Sequence, residues 1–535
     1  MNKNLFKTLI CIPPAYDTVY PPLGTPAIVA FLKSKSIAAF QKDLNIEFYK
    51  YLRTNKLEFM LTEKYKNDKI KDRVYYYRDL KYGKRRNFNY PFEKVPGSSF
   101  EFTEKLLSSK NLSRYIDDEK ENIFHKFFKS EMVGRIKKEK YNLVGFSITA
   151  PSQVIAAFTF GRIIKSEMPN VGVVIGGRWA SLFKDELIKK NSFSAFYDYL
   201  IFQEGETPLY SLINSIITNQ PLSCVPNMIY KHNSKFILSK HVTEENMNEL
   251  PCPDFDGLPI RNNYQYRKDK TFPLTFETSR GCYWDRCIFC VDLPLPKPRY
   301  REKNIELIIE DIKNLKRKYK TDKLIISNAV FSPWQMKKFC KELIRLKIKI
   351  LWSAWTRFDN EVSKELLHLA KESGCTMLGF GLESMNQRVL DFCKKGTKVE
   401  IIKRIIKDAK DAGLKIHCQV MLGMPSETTK EALDTICFLL NDLKEEPSFN
   451  VYYLTPKNIV YNNPEKYGIR FRCNLKLPFR FLHPFQHVLG DFDMNKANAM
   501  LRFYNIRRLS NDKKVSFTKM QKIALANIIN ERASV

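Results

Sequence analysis

The sequence has no apolar run long enough to span a membrane: stretches such as Val171 to Ile175 and Ile436 to Leu440 fall far short of the roughly 18 residues such a helix needs. No secretory leader is expected. The brief Leu9 to Ile12 run meets Pro13 and Pro14 at once, with no small-residue cleavage site. A cytoplasmic location is therefore expected. The 12 cysteines scattered over 535 residues should then stay reduced, so that any tight cluster of them reads as metal-binding or catalytic. Acidic residues are in deficit, 58 against 89 Lys and Arg, for a formal net charge of +31. Such charge permits attraction to nucleic acid, an acidic peptide or anionic lipid without choosing among them. It is spread widely, with denser pieces at Lys71 to Arg86 and Lys313 to Lys320, and reads first as solvated surface. With 44% hydrophobic and 13% aromatic residues the chain is neither disordered nor fibrous, and its length suits three or four domains of about 150 residues.

The apolar pattern predicts an α/β protein. A strand at Thr8 to Ile12, a Pro-rich turn and a helix at Ala27 to Lys35 open the chain. From about 47 to 140 runs a basic, Tyr-rich and Phe-rich stretch, read as a mainly helical insertion. Strands at Leu143 to Thr149, Val171 to Ile175 and Tyr199 to Phe202 then alternate with helices such as Gln153 to Met168, which implies a parallel, doubly wound sheet over residues 1–220. Residues 221–265, rich in proline, read as a connector with room for one hairpin. Six strand-and-helix units follow over 266–455, with strands at Leu274 to Thr278, Lys323 to Ser327, Lys349 to Ser353, Thr376 to Phe380, Lys415 to Met421 and Phe449 to Leu454. Six units suit a partial (βα)6 barrel whose site lies at the strands' C-terminal ends. Residues 456–535 read as a small C-terminal domain, a candidate for substrate binding.

Directly after the first barrel strand, RGCYWDRCIFC sets Cys282, Cys287 and Cys290 at spacing C-x4-C-x2-C. Three thiolates on a four-iron cluster leave one iron open to another ligand. Zinc is the rival reading, with Cys252, Asp285 or Asp292 as a fourth ligand. Spacing alone leaves both open.

The cysteine triad, the barrel after it, GLES at 381–384 and GMPSE at 423–427 together resemble the radical S-adenosylmethionine (SAM) enzymes. That resemblance implies a 4Fe-4S cluster on Cys282, Cys287 and Cys290, although the usual motif is C-x3-C-x2-C, one residue shorter. It also implies SAM contacts from Phe289 (adenine), Glu383 with Ser384 beside it (ribose), Arg357 (carboxylate) and Gly423 (adenine), while Ser327 and Asn328 stand where related enzymes carry another motif. The N-terminal segments PPLGTPAIVAFLKSK, LVGFSIT, VGVVIGGRWAS and FQEGETPLYSLI resemble the cobalamin-binding domain of one branch of that family, with Ser147, Thr149, Gly176, Gly177 and Gly205 as cobalamin-site candidates. No D-x-H-x-x-G signature is present, so cobalt is expected to lack a histidine ligand.

The resemblance implies a cobalamin-dependent radical SAM methyltransferase acting on an unactivated carbon through a 5′-deoxyadenosyl radical and methylcobalamin. A cobalamin-dependent rearrangement or cyclisation without methyl transfer is the alternative, ahead of a non-enzymatic basic nucleic-acid or peptide binder. The expected partners are a small-molecule or peptide substrate and an external electron donor such as flavodoxin or ferredoxin, with no membrane span and no nucleic acid. The insertion, including Lys84, Arg85 and Arg86, is expected to steer an acidic or phosphorylated substrate.

Overall fold

The computed structural model describes residues 5–14, 20–55, 92–94, 100–102, 109–120, 122–189, 191–233, 235–261, 272–290, 299–443, 447–471, 483, 485–492, 496–497, 500–501 and 504. In chain order the first strands are β1 (Lys7–Ile12), β2 (Ala38–Asp43), the hairpin β3 (Phe92–Lys94) and β4 (Phe100–Phe102), β5 (Leu143–Ser147), β6 (Gly172–Gly176), β7 (Tyr199–Ile201), β8 (Met228–His232) and β9 (Lys235–Leu238). Seven of them form one sheet in the order β2-β1-β5-β6-β7-β8-β9. The first five in that order run parallel, and the chain's return from β2 to β5, on the other side of β1, reverses the direction of winding. In such sheets the ligand crevice lies outside the C-terminal ends of the strands at that switch point.

Alternate residues of each strand enter opposite cores, as the pleat requires. Leu9, Cys11, Val144, Phe146, Val173 and Ile175 face the helix Val154–Glu167, while Ile10, Leu143 and Val174 face Val29, Leu32, Leu209 and Leu212 of the helices Gly24–Ser34 and Glu206–Thr218. Both faces are therefore covered, which is why these strands read as unbroken apolar runs. β2 escaped the sequence reading because AAFQKD carries little apolar signal, with Phe40 itself exposed. The sheet also departs from all-parallel: β8 and β9, within the stretch read as a connector, add to its edge antiparallel.

The described parts of the aromatic stretch at 47–140 are helical at Leu44–Thr54, Ser109–Asp117, Ile123–Phe127 and Val133–Glu139. Their rings are core, since Phe48, Phe124, Phe127 and Phe128 pack under the first sheet and Phe128 stacks on Phe160 at 4.2 Å. The hairpin β3–β4 departs from a wholly helical reading. Lys84, Arg85 and Arg86 lie outside the described residues.

Beyond the connector come β10 (Leu274–Phe276), the short pair β11 (Ser279–Arg280) and β12 (Arg301–Glu302), then β13 (Lys323–Ile326), β14 (Leu351–Thr356), β15 (Cys375–Glu383), β16 (Lys415–Leu422), β17 (Ser448–Val451) and a last hairpin of β18 (Ile469–Phe471) and β19 (Phe485–His487). Six of these form an open parallel sheet in the order β10-β13-β14-β15-β16-β17, the topology of a partial (βα)6 barrel. β14 starts two residues later than the expected Lys349, and β15 runs on to Glu383. The returning helices are Ile305–Tyr319, Pro333–Arg345, Lys364–Glu372, Val399–Asp411 and Thr429–Asn441; the second, third and fifth start with side-chain caps at Ser332, Ser363 and Thr428, the last in a reciprocal box with Glu431.

The connector is stitched to both halves. Asp254 accepts from Lys33 (2.7 Å), Lys318 (2.8 Å) and the Tyr319 hydroxyl (2.8 Å), and Gln41 Nε2 donates to the carbonyls of Asp254 (2.6 Å) and Asp256 (2.9 Å). Ile12 and Ile46 of the first half join Phe255 and Leu258 in the barrel's own core.

Candidate active site

The cysteine loop is held in place before any cofactor is considered. Asn328, just past β13, accepts at Oδ1 from the amides of Thr278 (2.9 Å) and Ser279 (3.3 Å) and returns Nδ2 to the Thr278 hydroxyl (2.6 Å). Ile288 N donates to Cys393 O (3.1 Å), and Ile288 and Phe289 pack on Val389, Met424 and Tyr452. Around these anchors Cys282, Cys287 and Cys290, partly exposed and in no disulfide, stand on the wall of a cavity of about 530 Å³. Phe289, Ser327, Asn328, Arg357, Glu383, Lys395 and Gln419 share that wall, at the C-terminal ends of the barrel strands.

The polar wall is ordered by two glycine-adjacent contacts and one strained residue. Glu383 has φ +60° where the β15–β16 register shifts, an unusual conformation for a long side chain and the kind that persists where function fixes it. Its carboxylate meets Lys395 Nζ at 2.8 Å, and both groups are almost fully buried. A Cβ on Gly381 would stand 2.5 Å from Glu383 Oε1 and 2.6 Å from Lys395 Nζ, so a larger residue there would displace this ion pair. Arg357 is buried, its Nη2 donating to Lys395 O and its Nη1 lying 3.7 Å from Cys287 Sγ.

A second cavity, of about 360 Å³, opens at the C-terminal edge of the first sheet, beside the β1–β5 switch point. Gly24, Ser147, Thr149, Gly176, Gly177 and Gly205 line it, over an apolar floor that includes Leu23, Ile28 and Phe146. Glycines there let a flat ligand approach the backbone. Gln153 Oε1 fixes the loop after β5 by accepting from Thr149 N (2.8 Å), Thr149 Oγ1 (2.8 Å) and Ala150 N (3.2 Å).

Ser327 belongs to the walls of both cavities, so they meet there. Beside the meeting point Arg280, two residues ahead of Cys282, holds Glu206 (2.6 Å), Glu277 (2.5 Å) and Glu204 (3.4 Å), and Arg301 grips Glu204 from the other side at 2.5 Å. Burial works against the Arg280 charge, but Glu206 and Glu277 outweigh it and hold its pKa well above the ordinary value. Glu204 and Glu206 follow β7 while Glu277 follows β10, so this network fixes the first sheet's edge against the cysteine loop.

Residues 276–439 match the Radical SAM superfamily, a span that runs from the end of β10 through the cysteine loop and past β16. The barrel is a radical SAM domain. The chain is 29% identical over 316 residues to an uncharacterized methyltransferase of Pyrococcus horikoshii, covering 58% of this chain and 66% of that protein. It is 24% identical over 313 residues to the anaerobic magnesium-protoporphyrin IX monomethyl ester cyclase of Rubrivivax gelatinosus, covering 56% of this chain and 54% of that one. The chain thus spans between half and two thirds of these relatives' length. The whole fold is similar to the solved radical SAM methyltransferase TsrM of Kitasatospora setae with cobalamin and a 4Fe-4S cluster bound, at TM-score 0.59 and 13% identity over 98% of this chain and 89% of that one.

In the radical SAM domain, then, Phe289, Arg357 and Glu383 face one cavity with the three cysteines. Ser384 and Gly423 are not on its described wall. The Ser384 hydroxyl is buried against Thr435 Oγ1 (3.3 Å) and accepts from Asn386 N (3.1 Å), and Gly423 N donates to Glu427 Oε2 (2.7 Å). Among the described residues no three His, Cys, Asp or Glu side chains converge on one point. Cys252 faces Asp311 O (3.5 Å), away from the loop, and Asp292 lies outside the described residues. Sequence reading missed Lys395 and Arg280. Their partners lie 12 and 74 residues away, and the one local hint is that Lys395 precedes a glycine at a helix end.

Proposed function

We propose that this chain is a cobalamin-dependent radical SAM enzyme that transfers a methyl group to a carbon of a small-molecule or peptide substrate. The observation that carries the reading is the meeting of the two cavities at Ser327, because such a reaction needs both cofactors within reach of one substrate. The bound groups would supply the chemistry: a reducible cluster and SAM a hydrogen-abstracting radical, and cobalamin the methyl group.

The chain's own residues do the holding. Cys282, Cys287 and Cys290 would bind the cluster with three thiolates, which leaves one iron without a protein ligand. The buried Arg357 has an unpartnered Nε, which suits an anionic ligand in the cavity, as the carboxylate of SAM would be. Glu383, fixed by Lys395, and Phe289 would receive ribose and adenine. Ser147, Thr149, Gly176, Gly177 and Gly205 would wall the corrin, and the apolar floor would keep water from it. An external one-electron donor of the flavodoxin or ferredoxin kind would reduce the cluster.

Anaerobically reconstituted protein should carry about four irons and sulfides per chain, and cobalamin, while Cys282→Ala/Cys287→Ala/Cys290→Ala should lose the iron and SAM cleavage. Iron retained in the triple variant would overturn the assignment. With methyl-labelled SAM, label should appear in the product. The cyclase relative supports a second reading, in which cyclisation proceeds without methyl transfer and the product stays unlabelled.

A further inference from the structure

The residues that lengthen the gap between Cys282 and Cys287 include Trp284, and this ring is locked in place. Its Nε1 donates to Lys394 O at 2.8 Å, and its face covers Gly396, where a Cβ would stand 1.8 Å from a ring carbon. No side chain larger than glycine fits beneath it. The Arg357 guanidinium rests over the same ring, its centre 4.9 Å away, with Nη1 pointed at Cys287 Sγ at 3.7 Å and Nη2 on the Lys395 carbonyl. Arg357 is only 6% exposed, and among the described residues no carboxylate pairs with it. The nearby carboxylates are engaged elsewhere, Glu383 by Lys395 and Asp359 by the Tyr283 hydroxyl at 3.1 Å. A buried cation without a carboxylate calls for another anion, and the atom its fork faces is a cysteine sulfur.

We infer that Arg357, carried on Trp284 of the lengthened loop, hydrogen-bonds Cys287 and raises the reduction potential of the cluster bound there. Reduction adds negative charge to the cluster and its thiolates, so an adjacent N–H donor and positive charge favour the reduced form. The extra loop residue gives the arginine its platform. This rests on the radical SAM assignment of the three cysteines, and it leaves Arg357 Nε free for a carboxylate of SAM.

The test is a redox titration of the reconstituted full-length protein without SAM, followed by electron paramagnetic resonance of the reduced cluster. At the wild-type midpoint, Arg357→Met should lower the ratio of reduced to oxidised cluster about tenfold, which is about 59 mV for a one-electron couple. Arg357→Lys should fall between the two. Trp284→Leu, which keeps the arginine and removes its platform, should shift the same way by less, and these two carry the comparison if the methionine variant does not hold a full cluster. A midpoint unchanged in the variants at full iron content overturns the inference, as does a loss confined to SAM affinity. Wild-type protein that binds no cluster would instead defeat the radical SAM reading of the cysteines.

Discussion

Glu427 is wholly buried beside the end of β16, with Oε2 accepting from the amides of Gly423 (2.7 Å) and Met424 (3.2 Å) and Oε1 unpartnered. Burial pushes its pKa up to about 8, against the lowering effect of those two amides, so the folded protein holds it protonated at neutral pH. An unfolded glutamate releases its proton near pH 4.3, roughly; between there and about 8 only the folded state keeps it. Stability should therefore fall as pH rises through that window and flatten above it. Denaturant titrations across the window should show a shallower slope for Glu427→Gln than for wild type, and parallel curves would mean that the carboxyl is ionised when folded. At this scale the cysteines and Glu383 could be singled out from local patterns, and the structure brings them onto one cavity wall. Arg280, Lys395 and the true setting of Arg357 were not legible, since each is defined by a partner from another strand or loop.

Elements were legible where both faces are buried. β5 and β6 announced themselves as unbroken apolar runs, and the barrel units by alternation with amphipathic helices. β2 was not, because an edge strand carries polar residues on one side, and the hairpin expected in the connector gave no sign that it would extend the first sheet. The aromatic stretch read as mainly helical, and its described parts are helical apart from β3–β4; what the pattern did not reveal is that its phenylalanines belong to the core under the first sheet. The loop after β5 bears on cobalt. No histidine stands on the described wall of the cavity at that loop, and Gln153 pins Thr149 and Ala150 there. Bound cob(II)alamin is thus expected to give cobalt resonance lines without the threefold splitting of a coordinated nitrogen. Lines split in three would require a histidine or another nitrogen donor to enter the site.

Across the whole molecule the Asp254 knot is the most heavily shared polar feature of the connector. Burial opposes the charge on Asp254, but hydrogen bonds from Lys318 and Lys33 outweigh it and hold its pKa well below the usual carboxylate range. A depressed pKa contributes stability above the unfolded value of about 3.9 and loses it as pH falls through the folded one. Asp254→Asn should accordingly be less stable than wild type at neutral pH, with the gap closing in acid, as thermal melts at several pH values would reveal. A constant gap would assign the effect to packing. The same stitching bears on how the chain comes apart. With Ile12 and Ile46 inside the barrel's core and one aspartate gripping a helix from each half, neither half owns a complete interior. Melting should be a single cooperative event, and a barrel cut free at the connector would expose the seats of Ile12 and Ile46 and be prone to aggregate.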